Sequence, residues 1–189
     1  MERDSPTEHI ARRPSPFTGK EVREILERRQ WLADYTGGEP EAVAAARDAW
    51  LAQAAGLLGP QADNPAALER LLEEIFHYDA RESLARAENH AVMAREAARF
   101  VLRELALLVL DSAEIDSDRY KEIVAALKER TGRRGQELFH PIRLALAGRA
   151  GEGEHDRVIL LLDGAARLPW NISVKGCRER ILEFCGVID

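Results

Sequence analysis

Four arginines lie within or beside one short segment, and their side chains could bind a phosphate or a nucleic-acid base. They are Arg133, Arg134, Arg143 and Arg149. Arginine is always charged, and its planar guanidinium can stack on a base or make a bidentate contact. Pro141 favours the first turn of a helix, so we expect Arg143 near a helix start or kink. Two other interpretations stay open: Arg143 could pair with a carboxylate within the protein, and Arg133 and Arg134 could form a solvated turn.

Other patterns that could support catalysis or metal binding are weak. Glu74 and His77 have the Glu-x-x-His spacing of helix-borne di-iron ligands, but such a site needs a second copy on another helix. The same spacing from Glu152 to His155 falls in a glycine-rich loop. The sequence contains no Gly-x-Ser-x-Gly pattern and no phosphate loop. We therefore expect no enzyme activity, no cofactor and no metal, with Glu74 as a surface carboxylate and His77 partly buried.

The charge of the chain is uneven. Its 189 residues carry a net charge of −6, with 13 Lys and Arg against 11 Asp and Glu in residues 117–189, and 14 against 22 in the remainder. This asymmetry fits a C-terminal part that faces RNA. The cysteines, Cys177 and Cys185, are too few for a disulfide framework and are expected in the core. No apolar run approaches about 20 residues and no secretory signal begins the chain, which predicts a soluble cytoplasmic protein without membrane contact.

The segments that would position these arginines are predicted to be helices. Apolar residues recur at helical spacing in nearly every segment, which predicts an all-α bundle of seven or eight helices. Local signals set several ends. A Thr18–Glu21 capping box starts a first helix that is expected to run to about Tyr35 and to stop at Gly37-Gly38. Asn64 precedes Pro65 at the start of another helix, and glycines follow other predicted helices. Residues 158–162 could be a short strand by composition and are assigned to a helix. We expect a mobile tail over 1–16, an N-terminal helical part over 17–115 and a second helical part over 116–189. The tryptophans are expected in the core or as caps: Trp31, Trp50 and Trp170.

The strongest periodicity predicts one long central helix of about 30 residues. Its apolar positions step by three and four residues: Leu84, Ala87, Ala91, Ala94, Ala98, Val101, Leu105 and Leu108. Such a seam is typical of the central helix of a bundle, and a dimeric coiled coil is the alternative.

Residues 132–148 carry a recognisable pattern. The positions that define it are Gly135, Leu138, Phe139, Pro141, Arg143, Ala145, Leu146 and Gly148. This segment resembles the signature Gly-x-x-Leu-Phe-x-Pro-Leu-Arg-x-Ala-Leu-Thr-Gly of the C-terminal anticodon-binding domain of bacterial glutamyl-tRNA synthetase, with Ile142 in place of leucine and Ala147 in place of threonine. The resemblance covers about residues 116–168, and residues 1–80 match no known pattern.

The resemblance implies the fold of that domain and a function in RNA binding. Arg143 matches an arginine that lies at the anticodon in the family, and the surface around it would include Arg133, Arg134 and Arg149. The chain would be a stand-alone, non-catalytic module that binds tRNA or another RNA, with a separate synthetase catalytic protein as a further partner. No His-x-Gly-His motif or lysine-rich loop is present.

One departure from the family favours a different function. Where the family segment often carries Pro-Gly, this chain has an acidic stretch, residues 152–156, whose three carboxylates would repel phosphates. The alternative is a protein-interaction or structural module that keeps the fold without binding RNA, with its acidic N-terminal helices as the working surface.

Overall fold

The computed structural model describes residues 14–33, 35, 38 and 40–188. Within them the chain is helical, and the one β-type pairing is an isolated bridge between Leu32 and Trp170. The helices are α1 (Gly19–Arg28), α2 (Glu41–Leu58), a 3-10 turn (Gly59–Gln61), α3 (Pro65–Phe76), α4 (Ala80–Ala85), α5 (Ala87–Met93), α6 (Glu96–Leu110), α7 (Ser117–Thr131), α8 (Gln136–Ala147), α9 (Glu154–Ala166) and α10 (Cys177–Ile188). The all-α prediction is confirmed, but the described part has ten α-helices rather than seven or eight.

Local capping signals were reliable. The Thr18–Glu21 capping box is present, Asn64 accepts a hydrogen bond from Ala67 N at the start of α3, and Gly132 ends α7 in the left-handed region. Residues 158–162 lie in α9, which confirms their assignment to a helix. No helix in the described residues is long and apolar enough to cross a bilayer.

The first helix is shorter than predicted. It was expected to reach about Tyr35, yet it ends at Arg28 and Gln30 has a φ of 57°. The chain then turns inward, so that Trp31 stacks on Phe76 with ring centroids 4.8 Å apart. Residues 1–13 of the predicted tail, and Gly37 of the predicted stop, lie outside the described residues, whereas Ser15 bonds the carbonyl of Ala55.

The predicted long central helix is wrong: the segment forms α4, α5 and α6. The backbone is extended at Arg86 and Arg95, with ψ values of 128° and 131°. Asn89 explains the first break, because its buried amide donates to the carbonyls of Ser83 (2.7 Å) and Gly148 (3.3 Å). These contacts replace helical hydrogen bonds and tie the segment to the end of α8. The alanines predicted at the middle of the seam are consequently exposed: Ala87, Ala91 and Ala94.

The central helix is instead α8. All residues from 141 to 148 are buried, and α8 packs against α5, α6, α9 and α10. A second part of the core lies where α2 and α3 meet α9. There Trp50 and Trp170 pack edge-on against Phe76 at 5.8 and 5.0 Å, and the Trp50 indole donates to the carbonyl of Leu161. The prediction of a core position is confirmed for Trp31 and Trp50, and Trp170 is partly buried against that core.

The α6 half of the predicted seam does face the core, which gives a direct test. Leu105 is fully buried, so Leu105→Ala should lower the free energy of unfolding by about 2–5 kcal/mol, since it removes apolar contacts and leaves a cavity. Leu107 on the same helix is 55% exposed, and Leu107→Ala is the matched control with a change below about 0.5 kcal/mol. Urea titration followed by tryptophan fluorescence measures both. Equal midpoints for the two variants would contradict the placement of Leu105.

Candidate nucleic-acid interface

Two glycine turns frame the helix that carries the predicted RNA-binding arginine. Gly135 precedes α8 with a φ of 54°, and Gly148 follows it with a φ of 78°. Helix α8 begins at Gln136, so Pro141 lies inside it rather than in its first turn, and Arg143 is in its second half. Of the two expectations, a helix start or a kink near Arg143, the helix start is therefore wrong. Arg143 points instead toward the connection between α8 and α9.

Arg143 is held by a bidentate pair within the protein. Its Nε donates to Asp156 Oδ1 at 2.9 Å, and its Nη2 donates to Asp156 Oδ2 at 2.8 Å. Its Nη1 donates to the carbonyl of Gly151 at 2.9 Å, and its guanidinium lies 5.2 Å from the ring centroid of Phe139. Arg143 is only 8% exposed. The structure thus shows the interpretation in which Arg143 pairs with a carboxylate, and leaves its guanidinium little surface for a ligand.

The pair is part of a larger polar network. Tyr120 donates from its hydroxyl to Asp156 Oδ1 at 2.8 Å. Burial, followed by the neighbouring charge of Asp156, raises the pKa of Tyr120. Burial acts to lower the pKa of Arg143, but the hydrogen bonds and charge of Asp156 raise it overall. Both groups therefore keep their protons at neutral pH, and the network joins α7, α8 and α9.

A cluster of three side chains, in which Glu74 contacts both His155 and Arg149, also holds the α8–α9 connection. His155 Nδ1 lies 2.7 Å from Glu74 Oε2, and Arg149 Nε lies 3.3 Å from Glu74 Oε1. Glu74 is thus turned toward α9 and away from the exposed His77, whose ring contacts Glu82. No group of three possible metal ligands occurs among the described residues.

The connection packs so closely that it requires glycine. A Cβ atom on Gly151 would lie 2.0 Å from His155 Nε2, and one on Gly148 would lie 2.8 Å from Ser83 Oγ. Arg143 also donates a hydrogen bond to the carbonyl of Gly151. The backbone from Gly148 to Gly151 is therefore held at both of its ends.

The other predicted arginines lie on the surface. Arg133 pairs with Glu137 at 3.3 Å and keeps 41% of its side chain exposed. Arg134 is exposed in the turn between α7 and α8. The Arg149 side chain is 47% exposed despite its contact with Glu74. These three, unlike Arg143, present charge to solvent.

The acidic stretch is less acidic at the surface than its sequence indicates. Asp156 is neutralised by Arg143, and Glu154 lies 3.3 Å from His155 Nε2 with 31% of its side chain exposed. Glu152 is the exposed carboxylate of the stretch. The expected repulsion of phosphates is thus concentrated on one side chain.

Helix α8, with Arg143, falls within a region that matches a known family, and the network partners Asp156 and His155 lie just beyond that region. The anticodon binding domain family matches residues 21–154. The chain belongs to this family. The match also includes most of α1 and all of α2 to α6, which lie before the residues covered by the sequence resemblance.

Glutamate–tRNA ligases are among the proteins similar to this anticodon binding domain. One from Syntrophus aciditrophicus is 36% identical over 72 residues, which cover 38% of this chain and 15% of the ligase. One from Bartonella henselae is 37% identical over 75 residues, 40% of this chain and 16% of the ligase. The chain thus spans under a fifth of the length of these relatives. The resemblance to the C-terminal domain of glutamyl-tRNA synthetase is confirmed, and no solved structure matches the chain.

The chain also contains a buried arginine, outside the matched region, that the sequence analysis did not single out. Arg180 is fully buried and lies between the C-terminal ends of α3 and α8. Its nitrogens donate to the carbonyls of Glu74, Ile75, Leu146 and Lys175 at 2.7–3.0 Å. Burial lowers the pKa of Arg180 to about 10, which leaves it charged at neutral pH. A single arginine on an amphipathic helix gave no sequence signal for this role.

Proposed function

We propose that this chain is a non-catalytic module that binds tRNA or another RNA. The observation that carries the proposal is the family match over residues 21–154, which includes α8, Arg133, Arg134 and Arg149. The similar glutamate–tRNA ligases are named for their action on a tRNA, and an anticodon binding domain is the part of such a protein that would contact it. The 189 residues alone are expected to form no aminoacyl-tRNA, and a separate synthetase catalytic protein is the proposed partner.

The RNA-facing surface in this proposal is the exposed ends of α8. Arg133 and Arg134 lie before the helix and Arg149 lies after it, and all three have exposed charge. Arg143 supports this surface from beneath, because it holds Gly151 and Asp156 in place. A single-stranded anticodon loop suits such a surface, since its phosphates meet the charges and its bases remain available for stacking on guanidinium planes.

RNA binding should be measurable at low salt and should weaken as salt rises. Bulk tRNA with a fluorescent label, titrated at several salt concentrations, gives the slope of log affinity against log salt, about −0.7 per phosphate contact for single strands. Replacing Arg133 and Arg134 with alanine should weaken binding and reduce the slope by up to two contacts. The matched control replaces Arg23 and Arg28 of α1, the first partly exposed and the second exposed, with the same change in net charge.

Two results decide between this proposal and its alternative. Glu152→Gln should strengthen binding, because it removes the exposed carboxylate of the α8–α9 connection. If the wild-type chain binds no tRNA at low salt, the RNA proposal fails and the protein-interaction module replaces it.

One observation favours that second function. Three large apolar side chains are each about half exposed: Phe100 at 46%, Leu107 at 55% and Leu182 at 52%. Exposed apolar side chains of this size suit a protein partner.

A further inference from the structure

A concave site lies between α5 and the α8–α9 connection, away from the Arg133–Arg134 turn. Its lining includes Arg95, His140, Arg149, Ala150 and Gly151. We refer to these five residues as the α5–α8 pocket. They come from three separate places in the chain: the α5–α6 junction, the middle of α8, and the segment after α8. The break at Arg95 that divides the predicted long helix is what brings Arg95 into this site.

Two of the lining residues, Arg95 and His140, contact each other within the pocket. Arg95 Nη1 lies 3.3 Å from His140 Nδ1, and because arginine can only donate, His140 accepts at that nitrogen. Burial and the charges of Arg95 and Arg143 lower the pKa of His140, against the opposing charge of Glu152. His140 is therefore neutral at pH 7, and its other ring nitrogen carries the hydrogen and is a donor.

The backbone supplies further donors. Within the described residues, the N–H groups of Ala150 and Gly151 donate no hydrogen bond to any protein group. Successive unpaired backbone N–H groups form concavities that bind anions. Gly151 cannot carry a side chain without striking His155, so its backbone stays accessible at this position.

Three carboxylates lie at or near the pocket: Glu74, Glu88 and Glu152. Glu74 is occupied by His155 and Arg149, and Glu88 on α5 is the acidic residue among those that line the site. The site thus combines two guanidinium groups, one of them shared with Glu74, a neutral imidazole and two backbone N–H groups, against the carboxylates of Glu88 and Glu152. This donor set fits an oxyanion with several acceptor oxygens, and it fits a phosphate group best, since arginine forks and backbone N–H groups are the usual phosphate ligands.

We propose that the α5–α8 pocket binds a phosphate group, through Arg95, Arg149, His140 and the backbone of residues 150–151. The phosphate of an RNA backbone and a free phosphate-bearing small molecule share this chemistry. That the bound phosphate belongs to RNA rests on the function proposed above, whereas the binding of a phosphate group to the pocket does not.

Inorganic phosphate is the probe that tests the pocket without RNA. Titrated at constant ionic strength against chloride, it should shift the imidazole NMR resonances of His140 in the wild-type chain. Arg95→Gln and Arg149→Gln should each weaken phosphate binding roughly tenfold or more, because each removes a charge-assisted donor. Arg103→Gln is the matched control, since Arg103 is exposed on α6 and outside the pocket. Arg149 is more exposed than Arg95, so its variant tests the pocket even if Arg95→Gln fails to fold.

A parallel titration with single-stranded RNA identifies the source. If the phosphate belongs to RNA, Arg95→Gln should weaken RNA binding and reduce the salt slope by about 0.7. Phosphate binding that depends on Arg95 and Arg149 while RNA affinity is unchanged assigns the pocket to a free phosphate compound. A wild-type His140 that does not respond to phosphate, or variants that bind phosphate as tightly as the wild type, would overturn the pocket, even if RNA binds at Arg133 and Arg134.

Discussion

Arg180→Met should lower the free energy of unfolding by about 3–5 kcal/mol, because it leaves buried carbonyls at two helix ends without donors. The carbonyls concerned belong to Glu74, Ile75, Leu146 and Lys175. Two of the helices involved, α3 and α8, end at Arg180, and a cation there also interacts favourably with their dipoles. For a chain of this length the loss corresponds to a fall in melting temperature of roughly 6–20 °C.

The buried tryptophans report this unfolding, and the same helix offers a control. Arg178 is exposed and donates to the carbonyl of Leu110, so Arg178→Met should cost less than about 1.5 kcal/mol. The loss of unfolding free energy for Arg180→Lys should lie between those of these two variants, because one ammonium group cannot reach all the carbonyls that the planar guanidinium contacts. If Arg180→Met has the same urea midpoint as the wild type, the hydrogen bonds from the Arg180 guanidinium to the ends of α3 and α8 do not stabilise the fold.

The sequence predicts those parts of the fold whose signals are local. The capping box at Thr18, the Asn64–Pro65 start of α3 and the glycine that ends α7 act within one helical turn. Their hydrogen bonds are made by neighbouring residues, so the surrounding fold does not change the outcome. The signature around α8 was equally informative, since its apolar residues are all needed for one buried helix.

The long helix could not be predicted correctly because its break depends on tertiary contacts. The alanine seam and the observed break have similar local preferences, and Asn89 decides between them by reaching Ser83 and the distant Gly148. The partners in ion pairs could not be predicted for the same reason. Nothing in the sequence distinguishes Asp156, which binds Arg143, from the exposed Glu152 four residues earlier.

Arg143→Ala should destabilise the fold by about 2–4 kcal/mol, because it leaves the Asp156 carboxylate and the Gly151 carbonyl without their main donor. Asp156→Ala should have a similar cost, since Arg143 and Tyr120 then lose their shared acceptor. The double variant should cost clearly less than the sum, with a coupling energy of about 1–3 kcal/mol. Urea titrations of the four proteins measure the cycle, and additive costs would contradict the network.

The same variants decide whether Arg143 contacts RNA or positions the backbone that does. If Arg143 were an RNA contact that Asp156 restrains, Asp156→Ala would release the guanidinium and remove a negative charge, so tRNA affinity would rise while Arg143→Ala lowered it. If Arg143 positions the α8–α9 connection, both variants lose the anchor of Gly151 and both should weaken tRNA binding, by similar factors. Its low exposure favours the second result. The deciding measurement is whether Asp156→Ala raises or lowers the affinity for tRNA, at a temperature where both variants remain folded. The loss of one carboxylate by itself can only favour binding of a polyanion, so a lower affinity indicates that Arg143 positions the α8–α9 connection.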